Sequence, residues 1–235
     1  MTQQQGIVKG DAHQKLGSAG FIIAVLLWMI SSVLMLGVIT SASNMQDELK
    51  QVGEHVVVAQ AGELLFALSS VAVMIGMVGV YHSVTASAAS TASGAAWIRM
   101  GFYIFIIGTA FWAIGYALDV ALAASLANWL AAPAAGKEAA YSVVAALSAT
   151  SRGTFPITVV VYWLAFVFLG IGMVRSAVYP RWLGWFGLIL GIAGFFLGVI
   201  QTFNGRERFN LFMILYPLTV LWFLAIGIWV ARKAW

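Results

Sequence analysis

Six stretches of this chain run for about 20 residues with almost no charge, and nothing else in the sequence constrains the fold as strongly. The clearest is Trp182–Gln201, WLGWFGLILGIAGFFLGVIQ, twenty residues without an ionisable side chain. A run of this length crosses the roughly 30 Å hydrocarbon core as an α-helix, because a helix satisfies its own backbone polar groups where no water is available. Barrel strands would appear as alternating segments of about ten residues, and the sequence has no such alternation. Only 9% of the residues are charged, against about a quarter in a soluble domain. The sequence therefore predicts an all-α polytopic membrane protein, a single helical membrane domain over 1–235. Its six transmembrane helices are placed near 17–40, 56–83, 97–126, 154–178, 182–202 and 209–231.

The connections are short. Residues 40–53 read as a loop, 84–96 as a small-residue linker, and 204–208, NGRER, as a charged turn before the sixth span. The polar Met1–Lys15 followed by an apolar run has the outline of a signal peptide. The 19 apolar residues from Phe21 to Ile39 exceed an h-region of about 7–15 residues, so the run reads as a retained first span. Apolar character in the third span continues to about Ala132, where Pro133 stops it; a helix that long must tilt, break or project from the bilayer. Residues 139–149 suggest a short interfacial helix ahead of the fourth span. Pro217 is expected to kink the sixth.

Six spans put both termini on one side. That side carries seven Lys and Arg, Lys9, Lys15, Arg99, Arg175, Arg181, Arg232 and Lys233, against Asp11 alone. The other carries five, Lys50, Lys137, Arg152, Arg206 and Arg208, offset by five acids. The positive-inside rule then places the N and C termini in the cytoplasm, with Trp97, Trp182, Trp185 and Trp229 as an aromatic belt on that side. The net charge of +4 follows from this topology and gives no reason to expect nucleic-acid binding.

Small residues mark the packing faces. Gly184, Gly187, Gly191, Gly194 and Gly198 share one face of the fifth span, and Gly101, Gly108 and Gly115 one face of the third. The fifth span is expected to organise the bundle, its glycine face either packed inside or open to a partner. Ser69, Ser70, Thr154 and Thr158 are expected to donate hydrogen bonds between helices.

Two carboxylates lie within spans: Glu63 in the second and Asp119 in the third. Both are predicted in the outer part of the bilayer, on stripes facing other helices. With Gln60, Arg152, Gln201, Arg206 and Arg208 at the same level, they make candidates for an outward-facing polar pocket that relays protons, holds a cation or orients a polar ligand. The alternative is that both acids pair with nearby arginines and pin helix ends. His55 and Glu63 are weak candidates for a metal site, without the spacing of a strong motif. His13 and His82 can approach each other at the terminal end, but haem needs two imidazoles opposed across the iron. The chain has no cysteine, which removes disulfides, thiolate metal sites and thiol catalysis. No nucleophile constellation or nucleotide-binding turn is present. No catalytic residue and no cofactor is predicted, although a lipid or hydrophobic ligand fits the aromatic stripes.

Pro180-Arg181-Trp182-Leu183-Gly184, the glycine-rich helix that follows and the charged turn before the last span resemble an uncharacterised bacterial family of six-span integral membrane proteins, classed as a domain of unknown function. The resemblance implies this fold and a bacterial inner (cytoplasmic) membrane, and carries over no site residues. Partners beyond the lipid bilayer are expected to be other membrane subunits or further copies of the chain. The leading expectation is a non-catalytic accessory or structural subunit. The others are a carrier or sensor of a small solute, ion or proton using Glu63 and Asp119, and a membrane enzyme acting on a lipid-soluble substrate.

Overall fold

The computed structural model describes residues 11–39, 45–87, 90–204 and 209–235, and among these there is no strand. The helices are α1 (Ala12–Ile39), α2 (Met45–Glu54), α3 (Val56–Thr85), α4 (Ala92–Ala131), α5 (Lys137–Ser176), α6 (Arg181–Asn204) and α7 (Phe209–Ala234). All except α2 are long and apolar enough to span a bilayer, which makes six candidate crossings. Lys15 lies over the Trp235 ring, 4.8 Å from its centroid, so the start of α1 and the end of α7 share one end of the bundle. We call this the terminal end.

Three boundaries differ from the sequence expectation. Residues 45–54 form a helix and not a loop, because Leu49 and Val52 repeat on one side of a polar decapeptide and that side lies against α4. The third span starts at Ala92 and not near Trp97: Thr91 Oγ1 caps it by accepting from the Gly94 N–H at 2.9 Å, and also donates to the Arg175 carbonyl. The helix that carries the fourth span does not start near 154. One helix runs from Lys137 to Ser176, through Gly153 and Pro156. The alanine-rich residues 139–149 are strong helix formers, and packing on α4 carries the helix past the bond that the proline removes. At about 1.5 Å per residue, 40-residue helices reach roughly 60 Å, so α4 and α5 extend past the bilayer core together.

The α4–α5 pair keeps one antiparallel register along its length. Gly94 faces Ser176, Gly101 faces Leu169, Gly108 faces Tyr162, and Ser151 Oγ donates to Asp119 at 2.8 Å. Steps of seven and eleven residues on one helix match equal steps back on the other, as expected of a shallow helix–helix seam. Gly115 falls off this seam: a Cβ there would meet nothing within 4 Å.

The fifth span, α6, is a flank of the bundle more than its organiser. Four of its glycines face α5: Gly184 against Val174 and Gly170, Gly191 against Val167, Gly194 against the Trp163 ring, and Gly198 against Val159 and Val160. Gly187 faces the Trp222 ring of α7. That face is therefore filled from within the chain. The central helix is α5, whose Trp163, Phe166, Leu169 and Met173 are all fully buried. The Phe166 ring touches those of Phe105, Tyr162, Trp163, Trp222 and Phe223.

On the other side, α1 and α3 approach closely through Gly17, Gly20, Gly76 and Gly79; a Cβ on Gly17 would lie 2.8 Å from Gly79 Cα. Ser69 Oγ donates across this seam to the Ala24 carbonyl, and Ser31 Oγ to that of Gly62. Ser70, Thr154 and Thr158, expected to bond between helices, donate instead to carbonyls of their own helices. Phe21 stacks on Phe223, joining α1 to α7 and closing the ring of helices.

Candidate functional site

A chain of hydroxyl groups crosses the middle of the bundle. Ser70 on α3 donates to the Phe66 carbonyl of the preceding turn at 3.1 Å, leaving its oxygen to accept. The Tyr116 hydroxyl of α4 reaches Ser70, and the Tyr216 hydroxyl of α7 reaches Tyr116. Ser70, Tyr116 and Tyr216 thus bring hydroxyl groups from α3, α4 and α7 together. Glu63, two turns nearer the start of α3 than Ser70, is close enough for its charge to act on both tyrosine hydroxyls. Tyr116 is held by its ring, which stacks on Phe66 at 5.9 Å and on Trp112 at 5.7 Å; Tyr216 packs on Trp28 at 5.4 Å. Beside the chain, a cavity of about 30 Å³ is lined by Trp28, Ser69, Ser70, Tyr162, Tyr216 and Thr219. That is room for about one water molecule.

Gln60 and Asp119 lie at the edge of this region. Gln60 Nε2 donates to the Val120 carbonyl at 3.3 Å, which sets the first turns of α3 level with residues near 120 of α4. Asp119 points to the other side of α4, where it accepts from Ser151. The two intramembrane carboxylates thus sit at similar depth in different interfaces: Glu63 toward the tyrosine chain, Asp119 in the α4–α5 seam. Arg152, next to Ser151, donates to Ser148 Oγ at 2.9 Å. It also lines a groove of about 820 Å³, together with Leu49, Trp129, Lys137, Glu138 and Tyr141, where α4 and α5 extend past α3 and α2 covers them.

Gln201 is on α6, whose main neighbours are α5 and α7, away from Glu63. It is 2% exposed, and neither amide atom has a partner among the described residues. Arg206 and Arg208 lie outside the described residues. His55 sits at the corner between α2 and α3 with Nδ1 3.0 Å from the Gln51 carbonyl. Glu63 is eight residues further on, roughly 12 Å along the helix.

Sequence reasoning singled out Glu63, Gln60 and Ser70 and passed over Tyr116 and Tyr216. A signal for Tyr116 was available, since it lies three residues before Asp119 on a helix otherwise apolar at that level. Tyr216 gave none, because a single tyrosine in a span reads equally well as lipid contact.

Six long apolar helices with a polar cluster among them define a polytopic helical membrane protein in contact with the lipid bilayer. Residues 16–233 match the model of DUF4386, a domain of unknown function, and the chain belongs to that family. Comparison with curated proteins and with solved structures gives no match.

Proposed function

We propose that the protein is a proton-coupled membrane carrier in which Glu63 takes up and releases a proton through the hydroxyls of Ser70, Tyr116 and Tyr216. The observation that carries this reading is the group of hydroxyls from three helices near an intramembrane carboxylate. An ionised carboxylate within a bundle is costly, and acids so placed are typical of proton paths. The groove lined by Lys137, Glu138 and Arg152 supplies a polar approach at the end opposite the termini. We place the termini in the cytoplasm of a bacterial inner membrane, on the seven-to-five bias of Lys and Arg and on the family resemblance. An accessory-subunit role would need a docking surface other than the glycine face of α6, which α5 and Trp222 fill.

The test is proton flux into proteoliposomes carrying an internal pH dye, driven by a potassium diffusion potential. Wild type should exceed protein-free vesicles. Glu63→Gln and Tyr116→Phe should each reduce the excess about a hundredfold or more, the lower end of what losing one general acid or base costs. Asp119→Asn should slow flux less. Wild-type flux equal to that of empty vesicles, or full flux in a folded Glu63→Gln protein, would overturn the proposal. Stoichiometric recovery of a second membrane protein in native purification would point to the accessory role.

A further inference from the structure

A second cluster of chemical groups lies at the terminal end, far from the tyrosine chain. Asp11 immediately precedes α1 and caps it: Oδ1 accepts from the His13 N–H at 2.8 Å. The close α1–α3 seam sets what Asp11 meets. A Cβ on Gly79 would lie 2.8 Å from Gly17 Cα and 3.1 Å from the His13 carbonyl oxygen, so the last turn of α3 is held against the first turn of α1. His82, in that last turn, comes to 3.3 Å from Asp11 Oδ2 through Nε2. His13 Nδ1 is 3.5 Å from Oδ1, and the two imidazole rings stack with centroids 4.3 Å apart. One donor atom from each of the three residues falls within a 4.8 Å set.

We propose that Asp11, His13 and His82 form a binding site for a divalent transition-metal ion that joins the start of α1 to the end of α3. In a tetrahedral site with bonds of about 2.0–2.1 Å, neighbouring ligand atoms are about 3.3–3.4 Å apart. The Asp11–His82 edge already has that length. The remaining edges close through a small shift of His13, whose side chain is 60% exposed. Two imidazoles and one carboxylate favour zinc, cobalt, nickel or copper over magnesium or calcium. Stacked side by side, the imidazoles offer their edges to one shared ion; they are not opposed across a haem iron.

A second, independent feature points the same way. Gln14 is 2% exposed and reaches Asp11 Oδ2 through Nε2 at 3.5 Å, while its carbonyl Oε1 is buried with no partner among the described residues. A buried amide oxygen beside three metal-type donors can serve as a further ligand or hold a metal-bound water. Lys15, the nearest lysine on α1, is turned onto the Trp235 ring and so leaves the cluster free of its charge.

The test uses the full chain in detergent, without a polyhistidine tag and stripped with a chelator. Cobalt and then zinc are titrated in. We expect one equivalent of cobalt to bind with the visible bands of a tetrahedral site, zinc to displace it, and magnesium to leave the colour unchanged. Asp11→Asn and His82→Ala should weaken binding at least about tenfold, and His55→Ala should not change it. His13→Ala carries the test if His82 variants fail to fold, since an exposed ring contributes little to packing. Failure of the wild type to take up either ion stoichiometrically, or wild-type affinity retained in folded His13→Ala and His82→Ala proteins, would overturn the assignment.

Discussion

Adding one methyl group at Gly191 separates two physical effects that glycine substitutions usually mix. Alanine in place of glycine within a helix gains about 1 kcal/mol of intrinsic propensity. At Gly191 the new Cβ would lie 2.5 Å from the Val167 backbone nitrogen and 2.9 Å from the Phe166 carbonyl carbon. Backbone atoms cannot rotate aside, so α6 must move off α5. Restoring ordinary contact, which begins at 3.4 Å, requires about 0.9 Å of separation. A gap of that size forfeits roughly a quarter to a half of each contact's attraction of about 0.1–0.2 kcal/mol. With about 50 atom pairs affected, as around one buried side chain, the loss is about 1–5 kcal/mol. Less the propensity gain, Gly191→Ala should destabilise the fold by up to about 4 kcal/mol, a range that includes the roughly 1–3 kcal/mol typical of overpacked cores. Gly115→Ala is the matched control: nothing lies within 4 Å of its new methyl, so the propensity gain stands alone and stability should rise by up to about 1 kcal/mol. Reversible unfolding in mixed micelles, followed by tryptophan fluorescence and near-ultraviolet circular dichroism, measures both. Gly170 lies across the same seam, 2.5 Å from the Leu188 nitrogen by the same construction. Gly170→Ala should cost a similar amount, and the double variant less than the sum, because one separation relieves both clashes. If Gly191→Ala and Gly115→Ala shifted stability equally and in the same direction, the close α5–α6 seam would be refuted.

Two further perturbations probe the ends of the same helices. Tyr179, in the turn between α5 and α6, is 2.8 Å from Ser83 Oγ; because Ser83 already donates to the Val80 carbonyl, Tyr179 is the donor. Tyr179→Phe should cost about 1 kcal/mol in the unfolding assay. Burial pushes the Tyr179 hydroxyl well above its usual range, an effect that the Ser83 bond only partly offsets. The unfolded chain therefore loses this proton first, and stability should fall as pH rises above about 10, a slope that Tyr179→Phe reduces. Trp222 Nε1 donates to the Leu183 carbonyl at 2.8 Å in the first turn of α6. Trp222→Phe removes the bond and opens space against Gly187, for an expected loss of about 2–4 kcal/mol by the same measurement.

The helices and their packing faces were legible because their signals are local. An uncharged run of about 20 residues has one solution in lipid, and glycines at three- and four-residue spacing lie on one face whatever that face touches. Helix ends were less legible where local signals conflicted. Gly153 and Pro156 read as a boundary, yet α5 runs through them because α4 packs alongside. Residues 45–54 read as loop because a decapeptide gains its apolar partner only when α4 extends past the bilayer to meet it.

The candidate sites were hidden for a related reason. Between helices in lipid, hydrophobicity does not choose neighbours; close packing and interhelical hydrogen bonds do. The sequence by itself therefore determined that this chain crosses the membrane six times, which residues are small enough for helices to meet, and that Glu63 and Asp119 lie inside spans. Only the tertiary structure decided which helices are adjacent and in what register. That decision placed the glycine face of α6 against α5 and set Glu63 near Tyr116 and Tyr216 but Asp119 against Ser151. It also brought His82 to Asp11 and His13, some seventy positions earlier in the chain. Each of these outcomes rests on contacts of a few ångströms between segments whose separation along the chain says nothing about their distance in space.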